Sequence, residues 1–188
     1  MEDRNMKLVS SEEICRTPIF WVTLDKAIDP DGFEIKRAIV QHQGSAVMMA
    51  VDAKNRVLLV RQYRLPARAF LWELPAGRVD AGETVLKAAK RELIEETGFK
   101  ASKWTKLFTF FASPGYVAER MTIYVAQELK AGAATPMEDE RIETRWFTMA
   151  EIGRMIRSNE IVDAKTVIGW TVWRERARAA RTRSRASS

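Results

Sequence analysis

The sequence predicts an α/β fold, a mixed β-sheet sandwiched between α-helices. Two observations carry it. Short runs rich in β-branched and aromatic residues recur from Ile19 to Phe147, and segments of helical periodicity interrupt and follow them. No internal repeat or linker splits the 188 residues, enough chain for one domain with a core of useful size plus an arm or tail.

The elements follow in order. Residues 1–13 are polar and acidic and read as disordered or loosely docked. Runs at Ile19–Leu24 and Phe33–Val40 flank the turn signal Asp29-Pro30-Asp31-Gly32, which predicts a β-hairpin. Ser45–Val51 is apolar enough for a buried strand, Asp52–Asn55 turns the chain, and Arg56–Tyr63 follows as another strand. Phe70–Leu74 is a short strand leading into Pro75-Ala76-Gly77 and a helix starting near Thr84. Beyond the helix, Trp104–Ala112 and Met121–Gln127 are strand-like, separated by Ser113-Pro114-Gly115-Tyr116. Lys130–Glu140 reads as a loop and Thr144–Phe147 as the last strand. Met149–Arg157 reads as a short helix, and Ala164 to about Arg178 as a longer one with Val167, Ile168, Thr171 and Val172 on one side. The expected organisation is a hairpin arm over 1–42, the main domain over 43–175 and a basic disordered tail over 176–188.

Composition narrows the chemistry. Hydrophobic content of 46% and charged content of 30% are ordinary for a soluble globular protein. No apolar run approaches the roughly 20 residues that span a bilayer, and the polar, acidic start lacks the pattern of a signal peptide. Cys15 as sole cysteine excludes an internal disulfide and fits a reducing cytoplasm. With His42 the only histidine, a histidine-rich zinc site is excluded and oxygen-ligand chemistry remains. Six arginines and one glutamate between Arg174 and Ser188 hold +5 of the net +6, so the excess charge belongs to the tail. Such a tail is a solvated, frayed end or an arm for a polyanion; nucleic acid is not the expected partner.

The stretch Gly77–Phe99, GRVDAGETVLKAAKRELIEETGF, concentrates the chemistry. Thr84 can cap its helix and Gly98 can end it. At 100° per residue, Glu92, Glu95 and Glu96 share one face beside an apolar stripe of Leu86, Ala89 and Leu93. Three carboxylates on one face repel one another by a few tenths of a kcal/mol per i,i+4 pair. Either the face is solvated, or a hard divalent cation such as Mg²⁺ offsets the repulsion.

The spacing favours the cation. Gly77, five residues, Glu83, seven residues, then Arg91-Glu92-Leu93-x-Glu95-Glu96-x-Gly98-Phe99 matches every fixed position of the Nudix box. The chain thus resembles the Nudix hydrolases. Val60-Arg61-Gln62-Tyr63-Arg64, Leu71–Gly77, Ser113-Pro114-Gly115 and Ile161-Val162-Asp163-Ala164-Lys165-Thr166 resemble the ADP-ribose pyrophosphatase and nucleoside diphosphate sugar hydrolase branch. Together the resemblance covers about residues 14–175.

The resemblance implies a Nudix fold and a metal-dependent hydrolysis of ADP-ribose or a related nucleoside diphosphate sugar, with Mg²⁺ or Mn²⁺ as cofactor. GDP-mannose is the alternative substrate, and a non-catalytic nucleotide-binding module the alternative class. It implies Glu92, Glu96, Glu140 and the Ala76 carbonyl as metal ligands, with Glu95 close enough to share a cation. Glu138 is the implied base, in the acidic loop Glu138-Asp139-Glu140, whose other reading is a solvated loop. Arg91 is expected to tie loop to helix through a carboxylate such as Glu83, or to act in catalysis. Arg64 is the implied phosphate ligand, with Gly115 at the substrate; Glu73 either binds the nucleoside or faces Arg64. Phe20 and Trp21 suit adenine stacking, or else core or dimer packing. The branch also implies a homodimer in which the N-terminal arm helps build the partner's site.

Overall fold

The computed structural model describes residues 6–134 and 141–186, which divide into two compact units. The first takes residues up to Gly44 together with Phe111–Arg120; the second takes Ser45–Phe110 and Met121 onward.

The first unit is built on an antiparallel sheet of β1 (Lys7–Arg16), β2 (Trp21–Ile28) and β3 (Glu34–Gln41), in the order β1-β2-β3. The β2–β3 hairpin matches the expected turn. The Asp29 side chain accepts from the amides of Asp31 and Phe33, both at 2.9 Å, and Gly32 takes φ +88°. The first strand departs from expectation, since Lys7–Arg16 is paired along its length although it reads as polar and loose. Thr17 makes the turn, exchanging bonds with Phe20, and returns the chain onto β2. Pairing then rests on the backbone ladder rather than on burial, for every side chain of β1 is exposed.

The second unit holds two sheets. One is mixed, in the order β7-β4-β9-β8, from β4 (Ser45–Ala50), β7 (Ala76–Arg78), β8 (Phe99–Phe111) and β9 (Arg120–Ala131), with β4 parallel to β9. The other is antiparallel, from β5 (Arg56–Arg64), β6 (Ala69–Glu73) and β10 (Glu143–Thr148), in the order β10-β5-β6. All six side chains of β4 are buried, and strand alternation divides them between two cores. Ala46, Met48 and Ala50 pack with Ala88, Ala89 and Leu93 of helix α1 (Val85–Thr97). Val47, Met49 and Val51 pack with Ile152 and Met155 of α2 (Met149–Arg157) and Trp170 of α3 (Ala164–Ala186). That is the expected mixed sheet between helices, with the second sheet alongside.

Two further boundaries move. β8 begins five residues earlier than expected, directly after Gly98. The tail expected to be disordered from residue 176 continues α3 as helix to Ala186. Its composition explains this, because alanine and arginine are among the strongest helix formers and no glycine or proline interrupts them.

Gly98 ends α1 with φ +72° and donates its amide to the Ile94 carbonyl at 2.8 Å. A Cβ there would come within 2.7 Å of the Gly132 carbonyl oxygen and 2.8 Å of the Ala134 nitrogen. Gly82 has a similar φ, +76°, with nothing within 4 Å of the same position. Gly82→Ala should therefore cost only the left-handed backbone, roughly 1–2 kcal/mol. Gly98→Ala should cost more and lower Tm by several degrees beyond Gly82→Ala, at about 2–4 °C per kcal/mol. Equal thermal shifts for the two variants would show that the backbone contact at Gly98 does not constrain the fold.

Candidate active site

The site begins where β6 gives way to the Gly77 loop. The Pro75 carbonyl accepts from Met48 N–H at 2.9 Å, and Ala76 pairs with Val47, so the loop is registered on the fully buried β4. Gly77 follows, and a Cβ at this position would overlap the Glu92 carboxyl group. Only glycine lets this carboxylate rest against the strand, beside the residue that carries the Ala76 carbonyl. Thr84 caps α1 as expected, accepting from Lys87 N–H at 3.3 Å.

Arg91 locks loop and helix together. Its Nε and Nη2 donate to Glu83 Oε1 and Oε2 at 3.3 and 3.0 Å, a two-point bond, and Nη2 also donates to the Arg78 carbonyl at 3.1 Å. Nη1 donates to Glu92 Oε1 at 2.6 Å and Glu95 Oε2 at 3.0 Å. One guanidinium thus holds three carboxylates of the motif, and the tie through Glu83 is the one expected. The hydrogen bond to Glu83, and then those to Glu92 and Glu95, outweigh partial burial and raise the pKa of Arg91, so its cation is permanent. The same bond, working against desolvation, holds the Glu83 carboxyl below its ordinary range.

Glu96 is the buried acid of the motif. It is 5% exposed and counts with Ala88, Ala89 and Leu93 among the buried residues of α1, while Leu86 is only half-buried. The acidic and apolar faces therefore overlap more than the periodicity suggested. Arg64, at the end of β5, answers this buried charge. Burial disfavours its cation, but the hydrogen bond and charge of Glu73, with the charges of Glu96 and Asp163, raise its pKa overall. Glu73 faces Arg64, one of the two alternatives left by the sequence. Its Oε1 accepts from Arg64 Nε at 2.8 Å, its Oε2 accepts from Lys165 Nζ, and it is 1% exposed. Lys165 and Asp163 belong to the closing motif, where the sequence alone gives them no role. Their signal was two charges of opposite sign at the start of an otherwise apolar helix turn.

Phe20, Trp21 and Gly115 belong to the first unit, where Arg16 stacks its guanidinium 4.9 Å from the Trp21 ring centre. Glu138 and Glu140 lie outside the described residues. Among the described residues no three His, Cys, Asp or Glu side chains converge as a ready-made metal cage. The groups present nevertheless suit a hard cation: Glu92 and Glu96 offer carboxylate oxygens, Ala76 a carbonyl, and the side-chain-free Gly77 keeps room for Glu92.

The Glu83–Arg91 bond predicts a pH dependence. Glu83 has a lower pKa folded than unfolded, so its stabilisation is complete above about pH 4.3, the ordinary glutamate value. It fades as pH falls through the lower folded value. Glu83→Gln should lower Tm by a constant amount between about pH 6 and 8, with the gap to wild type closing below about pH 4. A gap that stays open at lower pH would mean that Glu83 stabilises by shape rather than charge.

Comparison with known proteins places the chain in a family. The NUDIX domain model matches residues 40–168. The chain is 33% identical over 168 residues to the ADP-ribose pyrophosphatase of Bacillus subtilis (strain 168), covering 88% of this chain and 91% of that protein. It is 35% identical over 164 residues to the methanol dehydrogenase activator of Bacillus methanolicus, covering 86% and 89%. Among solved structures it superposes on an ADP compounds hydrolase with a TM-score of 0.79 at 24% identity, covering 94% of this chain and 96% of that one, a likeness of fold. The chain belongs to the Nudix family and is one of its pyrophosphatases.

Proposed function

We propose that this pyrophosphatase hydrolyses ADP-ribose or a closely related nucleoside diphosphate sugar, giving a nucleoside monophosphate and a sugar phosphate. The observation that carries the reading is Arg64, a permanent cation in the field of the buried Glu96 of the Nudix helix. A diphosphate needs cationic partners, and a carboxylate cluster beside an arginine supplies them once a divalent ion is bound. Identity of 33% to an ADP-ribose pyrophosphatase across most of both chains supports the substrate class.

Nudix hydrolases work with a divalent metal, and we assign Mg²⁺ here, with Mn²⁺ as its substitute. Glu92, Glu96 and the Ala76 carbonyl would hold it. When bound, it neutralises diphosphate charge and lowers the pKa of the attacking water. The chain's own residues do the rest. Arg64 orients the diphosphate through its guanidinium, Arg91 keeps Glu92 and Glu95 in place, and Glu138 takes a proton from the attacking water while Glu140 adds a ligand. The assignments of Glu138 and Glu140 rest on the family pattern alone.

We further propose a cytoplasmic homodimer formed through the first unit. Leu8, Val9, Ile14, Ile19 and Phe33 are all exposed there in a single chain, a concentration of apolar side chains that a second copy would cover.

The experiment is a substrate panel of ADP-ribose, GDP-mannose and other nucleoside diphosphate sugars with Mg²⁺, read by product identity in ¹⁸O water. ADP-ribose should give AMP and ribose 5-phosphate; no turnover of any diphosphate sugar would overturn the reading. Glu96→Gln should keep the fold but lower kcat by roughly 10³-fold, the scale of losing one preorganised electrostatic partner. Near-normal turnover at saturating Mg²⁺ would remove Glu96 from the ligand set. Glu138→Gln should lower kcat by about 10²–10⁴-fold with little change in KM; a silent Glu138→Gln beside a damaged Glu140→Gln would exchange their roles. Sedimentation should show a dimer, and deletion of residues 1–41 should give a monomeric or aggregated, poorly active protein. A soluble, fully active monomer would rule out the interface.

A further inference from the structure

The first turn of α3 grips β6 where the chain enters the Gly77 loop. Asp163 caps the helix, its Oδ2 accepting from the Thr166 amide at 3.0 Å and the Thr166 hydroxyl at 2.6 Å. The Thr166 oxygen in turn accepts from Leu74 N–H at 2.8 Å. Lys165, 5% exposed, donates to Asp163 Oδ1 at 2.9 Å and to Glu73 Oε2. Glu73, the last residue of β6, and Leu74 just after it are thus held by adjacent residues of α3, Lys165 and Thr166, across 92 positions of sequence.

The charges in this cluster alternate. Arg64, Glu73, Lys165 and Asp163 form a chain of two cations and two anions, each buried ion having an opposite neighbour. A buried ion without one would be strongly destabilising. The consequence for Arg64 is geometric. A glutamate with both oxygens open to an arginine can take it in a two-point fork, as Glu83 takes Nε and Nη2 of Arg91. At Glu73 the second oxygen is occupied by Lys165, so Arg64 is engaged through Nε only.

We propose that Lys165 is a positioning residue for substrate binding: by occupying Glu73 Oε2, and being balanced there by Asp163, it keeps Arg64 from closing a two-point fork. The two Nη groups of Arg64 then stay available for diphosphate oxygens. Without Lys165, Glu73 Oε2 would take a second N–H of Arg64 and draw the guanidinium inward. This inference rests on the assignment of Arg64 to the diphosphate made under the proposed function. It gives the closing Asp163-Ala164-Lys165-Thr166 motif a role in recognition as well as in folding.

The test is a double-mutant cycle of wild type, Lys165→Met, Arg64→Ala and the pair. It is read twice, in kcat and KM for ADP-ribose with Mg²⁺ and in the calorimetric Kd for ADP with Mg²⁺. Lys165→Met should lower kcat/KM by about 10–100-fold, mainly through KM, the scale expected for a misplaced binding group. It should weaken ADP binding in parallel. With Arg64 already replaced by alanine, adding Lys165→Met should change either quantity by less than about threefold. Lys165→Arg, which keeps the charge, should recover much of the loss. Full, additive losses in the Arg64→Ala background would overturn the proposal, because a purely structural lysine harms the protein whether or not Arg64 is there. Circular dichroism and Tm check folding; if Lys165→Met does not fold, the same cycle is run with Lys165→Gln and judged by the same criterion. A wild type that turns over no diphosphate sugar would fail the substrate reading alone, and the ADP-binding cycle would still decide this one.

Discussion

Everything chemical in this molecule depends on keeping carboxylates close together, and two guanidiniums make that possible. Like charges on one helix face repel, and burial sharpens the repulsion because the surroundings no longer screen it. Arg91 answers the half-buried side of the problem by holding Glu83, Glu92 and Glu95 at once. Arg64 answers the buried side, where Glu73 and Glu96 lie within the unit. The arrangement suits an enzyme that must bind a polyanion: the acids proposed to hold a cation are stabilised by fixed positive charges, and Arg64 is the one proposed to meet substrate.

The platform beneath is equally constrained. β4 is buried on both faces, so it cannot shift register without moving alternate side chains from one core to the other. The Gly77 loop inherits that rigidity through the Val47–Ala76 pairing and the bond from Met48 to Pro75. Gly77 completes the fit, since any side chain would displace the Glu92 carboxyl from the strand. Precision at the site thus comes from the best-packed strand of the unit, with α1 docked on one core and α2 and α3 on the other.

The sequence was most legible where spacing carries a physical requirement. Gly77, Glu83, Arg91, Glu92 and Gly98 could each be given a place before any coordinate, because turn, clamp and helix end demand those residue types at those intervals. β1 was not legible, because its pairing uses backbone groups that no side-chain pattern reports, and its side chains are exposed. The helical continuation beyond residue 176 was obscured by charge: arginine and alanine favour helix, yet a run of like charge at a chain end reads as frayed. Glu73 was ambiguous for another reason. Its role is decided by Lys165, which comes from a helix 92 residues later, and no local pattern links the two.

That long-range link also bears on why an arginine stands at position 64. A lysine there could satisfy Glu73 with its single ammonium, but would have no further groups at fixed angles to offer. A guanidinium separates its duties. Nε faces the protein through Glu73, which leaves both Nη groups uncommitted to that carboxylate. Holding a flat, rigid cation at Nε fixes the direction of its remaining N–H groups, so in the role proposed for Arg64 the entropy of orienting it would be lost on folding and not on substrate binding. The buried chain of charges behind Arg64 carries a desolvation cost, and in the role proposed for Arg64 the orientation it gives to the guanidinium would offset that cost in function.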